Sequence, residues 1–215
     1  MVLKLAGYPF STCFQRVKLV LEELDVPYTF ILVDMSKGAH KAPEFTTLQP
    51  FGQVPYIDDD GFVLFESRAI CRYLALKYGG VEKGLMPSPG DSLEKTALFE
   101  RAVSIEVTSF DPPVSAVSVE NIVKPIRDQK TDKEAVARFT KTIEEKLAAY
   151  EVLLGKTRFL AGDNVTLADL FHLPYGALLE KQGIDFLVNP TKFPNVARWW
   201  KEIEARPAWQ KIKSQ

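Results

Sequence analysis

Phe51-Gly52-Gln53-Val54-Pro55-Tyr56-Ile57-Asp58-Asp59-Asp60-Gly61-Phe62-Val63-Leu64-Phe65-Glu66-Ser67-Arg68 is the stretch on which the fold turns. Two apolar runs of strand length, Val54 to Ile57 and Phe62 to Phe65, flank three aspartates and a glycine, which reads as a hairpin. A proline at the head of the first run marks either an edge strand or a cis peptide. Either leaves one side of the Val54 backbone open to a peptide-like ligand that adds as an extra strand. Where the second run ends, Glu66-Ser67-Arg68 turns into a helix. That turn offers a carboxylate to an ammonium group, and a hydroxyl with free helix N–H groups to a carboxylate.

Outward from the hairpin, further strand-length runs lie at Val2 to Ala6 and Tyr28 to Val33. Phe14, Val17, Val20, Leu21 and Leu24 share one helical face, as do Ile70, Tyr73, Leu74 and Tyr78. The order is β-α-β, a short helical stretch near 41–48, then β-β-α, a mixed α/β layer. From Gly79 to Gly90 the chain is rich in Gly, Pro and Ser and reads as a linker. Beyond it the periods lengthen. Ala135, Phe139, Ile143, Leu147, Tyr150 and Leu154 mark a long amphipathic helix, and Pro112-Pro113 is expected to bend or interrupt the helix that starts near Asp91. Thr166-Leu167-Ala168-Asp169 is a capping box, with Val165 and Leu170 set for the hydrophobic staple; its role is structural. The expected architecture is a small α/β domain followed by an all-helical one.

Composition narrows the function. The 215 residues carry 27 Lys plus Arg against 28 Asp plus Glu, and the balance is as even in residues 1–78 as beyond them. Neither part is basic enough to grip nucleic acid or an anionic membrane. No apolar run approaches the about eighteen residues of a membrane helix. Cys13 and Cys71 are the only cysteines, too few for a disulfide framework or a cysteine-rich metal site, so no metal is expected. Residues 1–10 have neither a charged n-region nor an apolar h-region, and the expected location is the cytoplasm.

Two more features carry chemistry. In Gly7-Tyr8-Pro9-Phe10-Ser11-Thr12-Cys13, Ser11 stands at the N-terminus of the first helix. Taken alone such a serine is usually only a cap, while the free N–H groups and positive dipole end beside it also favour an anion. His40-Lys41 is a cationic pair in the loop before the short helix. With only His40 and His172 in the chain, neither set for a triad, serine-nucleophile chemistry is disfavoured.

At these residues the sequence resembles the glutathione transferases, most closely the phi class of plants and fungi. The resemblance rests on Phe51 to Pro55 followed by Leu64-Phe65-Glu66-Ser67-Arg68-Ala69-Ile70, and on Gly7 to Arg16, with Ser11 five residues before Arg16. It covers the whole chain. It implies an α/β thioredoxin-like glutathione-binding domain at residues 1–80, a linker at 81–90, and an all-α helical domain at 91–215 that contributes the electrophile site.

By position the resemblance implies that Ser11 hydrogen-bonds the glutathione sulfur and that His40 and Lys41 hold the glycyl carboxylate, with Gln53 nearby. Val54, before a cis Pro55, would pair with the cysteinyl backbone, while Glu66 and Ser67 would take the γ-glutamyl amine and carboxylate. Phe10, Thr12 and Met35 would line the electrophile pocket, with Phe110 reaching it from the helical domain; ordinary packing is the competing reading for each. Phe51 is either an aromatic key for a partner subunit or buried in its own domain. The implied activity is conjugation of glutathione to apolar electrophiles, or hydroperoxide reduction, by a homodimer with glutathione as co-substrate. A non-catalytic ligand carrier and a Cys13-dependent thiol reductase are the alternatives. Two residues past Ser11, Cys13 is expected to be a bystander.

Overall fold

The structure is a computed structural model that describes residues 2–214. It divides into two compact units. One runs through Met86 and includes the residues from Pro207 onward; the other is Pro87–Arg206.

The first unit opens with strand β1 (Leu3–Gly7), helix α1 (Thr12–Leu24) and strand β2 (Tyr28–Leu32). Two single 3₁₀ turns, Met35–Lys37 and Ala39–Lys41, lead to the one-turn helix α2 (Pro43–Thr46). Strands β3 (Tyr56–Asp59) and β4 (Phe62–Phe65) and helix α3 (Ser67–Lys77) follow. Sheet order is β2-β1-β3-β4; β1 and β2 are parallel and the other pairs antiparallel. Ala6 pairs with Tyr56, and both pack with Val33, Phe45 and Val54 beneath α2. One position along, Leu5 and Ile57 point to the opposite face, and both are fully buried. Helices α1 and α3 pack together, and Val17 and Val20 on the one and Ile70 and Leu74 on the other are fully buried.

Local chemistry sets the ends of these elements. Ser11 caps α1, its hydroxyl accepting the Phe14 N–H at 3.3 Å. At the other end Asp25 turns left-handed (φ 56°), a conformation Asp tolerates because its short polar side chain bonds locally, and Pro27 prevents continuation. The hairpin is tighter than the sequence suggests. Only Asp60 and Gly61 form the turn, both at positive φ (56° and 89°), the two-residue geometry that matches strand twist. Asp58 braces the turn from the strand, its Oδ1 accepting the Gly61 N–H at 2.8 Å, and its Oδ2 pairs with Lys4 at 2.8 Å. Asp59 ends β3 buried, accepting from Tyr73 Oη (2.7 Å), Lys77 Nζ (2.6 Å) and Tyr78 Oη (2.9 Å). Strand β3 also begins at Tyr56, two residues later than the apolar run implied, because Val54 and Pro55 precede the ladder.

Asp59 thus ties the hairpin to α3. Burial raises its pKa, but the Lys77 ammonium and the two tyrosine hydroxyls outweigh that, so its carboxyl lies below the usual carboxylate range. A folded-state value below the unfolded one stabilises the fold above about pH 4, and that stabilisation is lost as pH falls through the folded value. Asp59→Ala is expected to cost about 2 kcal/mol at pH 7 in urea unfolding, with the difference from wild type shrinking on acidification. An equal deficit at pH 7 and at pH 3 would contradict this account.

The second unit is helical. Helix α4 (Leu93–Ile105) runs through a π turn (Glu106–Phe110) into α5 (Asp111–Ser118), then through a second π turn (Val119–Val123) into α6 (Lys124–Ile126). Each π turn ends two residues before a proline, Pro112 or Pro125. The α-helical pattern is interrupted just before Pro112-Pro113, as their position suggests, but the chain stays helical; the widened turn moves aside the carbonyls that the rings would strike. Helices α7 (Lys133–Leu154), α8 (Leu167–Leu170), α9 (Leu173–Lys181) and α10 (Pro194–Glu204) complete the unit. The capping box is present at the head of α8. Among the described residues no helix is long and apolar enough to cross a membrane.

The boundary differs from the expected 91–215 helical domain at the C-terminus. Helix α11 (Pro207–Lys213) belongs to the first unit, packing on α1, where Lys211 Nζ meets Glu22 at 2.5 Å. Trp209 and Ile212 form its buried side.

Candidate active site

Strand register brings the predicted residues of the first unit to one end of the sheet. Gly7 ends β1 and leads to Ser11; Leu32 ends β2 beside it and leads to His40 and Lys41. Because β3 is antiparallel to β1, its start at Tyr56 lies beside Ala6, so Val54 and Pro55 arrive at the same end. Phe65, ending β4, pairs with Tyr56 and leads to Glu66 and Ser67. Two helix N-termini, of α1 and α3, therefore face the same region, each with positive dipole and no acidic residue in its first turn.

Each part has a defined local cause. The Val54–Pro55 bond is cis, and Val54 is buried while its backbone lies outside the ladder. The loop before it is held by Gln49, a buried side chain whose Oε1 accepts the Gln53 N–H at 3.2 Å. Gln53 itself is exposed. His40 is the middle residue of the 3₁₀ turn with its Nδ1 shielded from solvent, and Lys41, which ends the turn, donates from Nζ to the Phe51 carbonyl at 3.2 Å. Glu66 has φ 72° and ψ 104°, a backbone conformation that costs about 1–3 kcal/mol in a non-glycine residue, and strain of this kind gathers at ligand-binding positions. Its carboxylate is exposed, while Ser67 beside it is buried and accepts from Arg16 Nη1 at 3.0 Å.

Gly52 controls the Lys41 side. At φ +60°, a Cβ on Gly52 would stand 2.8 Å from Lys41 Cδ and Nζ and 2.9 Å from the His40 carbonyl. Gly52→Ala is expected to cost about 1–2 kcal/mol of stability and to displace Lys41, weakening any carboxylate held there about tenfold. Thermal unfolding and glutathione titration check both halves. Retention of full affinity would separate Gly52 from the site.

The pocket candidates come from both units. Phe10 is 80% exposed and stacks edge-on with Tyr8, Thr12 opens α1, and Met35 lies against the cluster under α2. Phe110 is buried in the second unit against His172 and Tyr150. Phe51 is 65% exposed, its ring meeting Phe65 edge-on, so it is not buried in its own domain. Cys13 is half-buried with Sγ 3.5 Å from Arg16 Nη1, and Cys71 is fully buried, which pushes its thiol up to about 12.

Two residues were not singled out for chemistry by sequence reasoning: Gln49 and Arg16. Arg16 is fully buried on α1, one helical turn from both Cys13 and Val20. An arginine among the apolar positions of an amphipathic helix was the available signal, since guanidinium groups enter a core only when partnered.

Comparison with known proteins shows the family. The glutathione S-transferase N-terminal domain family matches residues 1–76, and the C-terminal domain family matches 110–207. Glutathione S-transferase PM239X14 of Arabidopsis thaliana is 43% identical over 92% of this chain and 89% of its own. Among solved structures, glutathione transferase F7 of Populus trichocarpa superposes with a TM-score of 0.92 at 35% identity, covering 99% of this chain and 98% of that one. Glutathione S-transferase I of maize, solved with an atrazine glutathione conjugate, gives 0.89 at 29% identity, covering 100% and 97%. The chain belongs to the glutathione S-transferase family and, within it, to the phi class.

Proposed function

We propose that this enzyme lowers the pKa of the glutathione thiol through a hydrogen bond from Ser11 and directs the thiolate at apolar electrophiles. The observation that carries the reading is Ser11 itself. Its oxygen accepts the Phe14 N–H as the α1 cap, which uses a lone pair and leaves the hydroxyl proton to donate. One side chain thus serves both readings that the sequence left open, cap and anion site. The thiol proton passes to bulk water, the thiolate sulfur forms the new bond to carbon, the leaving group departs with the electron pair, and Ser11 remains a neutral donor throughout.

The rest of the set suits a zwitterionic tripeptide. His40 and Lys41, with Gln53, would hold the glycyl carboxylate, and Val54 before Pro55 would pair with the cysteinyl unit. Glu66 would take the γ-glutamyl ammonium and Ser67, at the head of α3, its carboxylate. Phe10, Thr12 and Met35 would flank the electrophile. The bound conjugate in the maize relative supports glutathione as co-substrate. Exposed Phe51 supports a homodimer in which the ring enters a partner copy. The proposed location is the cytoplasm. The test is a panel of aryl halide conjugation, hydroperoxide reduction and deglutathionylation on wild type, Ser11→Ala and Cys13→Ser. Conjugation lost with Ser11 and kept without Cys13 supports the reading; the reverse makes the protein a Cys13-dependent reductase.

A further inference from the structure

We infer that Arg16 is a positioning residue for glutathione recognition, acting through Ser67 to make that hydroxyl a committed donor to the γ-glutamyl carboxylate. The inference rests on the assignment of Ser67 to glutathione binding, and it adds a residue that touches no ligand.

The geometry is specific. Arg16 lies in the second turn of α1 and is fully buried. Its Nη1 donates to Ser67 Oγ at 3.0 Å, in a buried contact that crosses from α1 to the first residue of α3. The same nitrogen lies 3.5 Å from Cys13 Sγ, and the Arg16 carbonyl faces the Cys71 thiol at 3.6 Å. One residue therefore fixes the α1–α3 seam directly beneath the two helix N-termini that face the site.

A serine hydroxyl has one proton and two lone pairs. When a guanidinium N–H fills one lone pair, the serine proton is repelled from that side and turns outward. At the head of α3 the outward direction already favours an anion through the free N–H groups and the dipole. The chain Arg16 N–H to Ser67 O–H to carboxylate has all its donors aligned, and each bond polarises the next. Without Arg16 the Ser67 hydroxyl is free to rotate and to accept instead. Glu66, exposed next to it, is an acceptor for the ammonium. Arg16 thereby sets which of the two adjacent residues takes which end of the glutamyl zwitterion.

The experiment compares glutathione with 4-aminobutyryl-cysteinylglycine, the same peptide lacking the γ-glutamyl carboxylate, in wild type, Arg16→Lys, Arg16→Met, Ser67→Ala and the double variants. Lysine keeps the charge but loses the planar fork. Methionine removes a buried charge at similar length, a change folds often accept. Both Arg16 variants are expected to bind glutathione about tenfold more weakly by calorimetry while holding the analogue within about twofold of wild type. The loss is expected in KM for glutathione, with kcat at saturation changed less than about twofold, and to vanish in the Ser67→Ala background.

Equal weakening of both ligands, or the same tenfold loss without the Ser67 hydroxyl, overturns the inference. So does loss of the folded state in both variants, which would make Arg16 purely structural. If wild type itself fails to bind glutathione, the proposed function fails with it. If Ser67→Ala discriminates the two ligands and the Arg16 variants do not, the inference alone fails.

Discussion

Ser11→Ala is expected to lower kcat/KM for conjugation of an aryl halide about 25- to 100-fold at pH 7 while weakening glutathione binding only about fourfold, the share that follows by linkage from losing the thiolate. The lower bound follows from ionisation alone. A thiol with its ordinary pKa near 8.5 is about 3% thiolate at pH 7; shifted down by about two units it is roughly three-quarters thiolate. The shift requires roughly 2.7 kcal/mol of preferential stabilisation of the anion, within reach of one charge-assisted hydrogen bond plus the dipole of α1. The upper bound adds the donor's hold on sulfur in the transition state. The sign of the pH dependence is fixed by the same argument. Wild type keeps its thiolate down to the lowered pKa, whereas the variant regains it only as pH rises towards 8.5, so the deficit narrows on raising pH. The substitution also removes the cap on Phe14, for about 1 kcal/mol of stability, and a urea midpoint separates that loss from the chemistry. A deficit independent of pH, or activity equal to wild type at pH 7, would mean that Ser11 is a cap and no more.

The placement of the candidate residues was legible because they sit in short segments whose local rules are strong. A hydroxyl before an apolar helical face, a proline opening a strand and a Glu-Ser pair closing another each constrain only a few residues. Strand alternation then brings them to one end of the sheet. The hairpin was legible in existence but not in extent. Three aspartates look alike to a composition rule, yet one pairs with Lys4, one is buried under two tyrosines and only Asp60 turns the chain. That division depends on partners 14 to 54 residues away. Arg16 escaped for a related reason. Its role comes from Ser67, 51 residues later, and sequence periodicity reports burial without reporting the partner that makes burial tolerable. Helix α11 was assigned by its helical neighbours in the chain, whereas Trp209 and Ile212 bury it in the first unit. Local order says little about where a terminal helix returns.

The largest stability effect is expected at Asp169, which carries no chemistry. Its carboxylate is fully buried at the head of α8 and accepts four hydrogen bonds. Leu160 N–H (3.0 Å) and Trp199 Nε1–H (2.9 Å) meet Oδ1, while the Thr166 N–H (2.9 Å) and hydroxyl (3.1 Å) meet Oδ2. Burial pushes the carboxyl pKa up, and the bonds from Leu160, Thr166 and Trp199 pull it back. The capping box visible in the sequence accounts for only the Thr166 half. The other half ties the loop at Leu160 and the indole of α10 to α8, so one side chain joins three segments of the helical unit. Asp169→Ala would orphan three buried N–H donors at about 1–3 kcal/mol each, and a loss of about 4 kcal/mol or more in urea unfolding is expected, with part of the helical unit loosened. Asp169→Asn, which keeps one accepting oxygen, should lose about half as much. Because Trp199 is bonded directly to the carboxylate, its fluorescence should report the change before global unfolding. A deficit below about 1 kcal/mol in the alanine variant, with Trp199 emission unmoved, would mean that water replaces the carboxylate at no cost and that the cap is incidental to the fold.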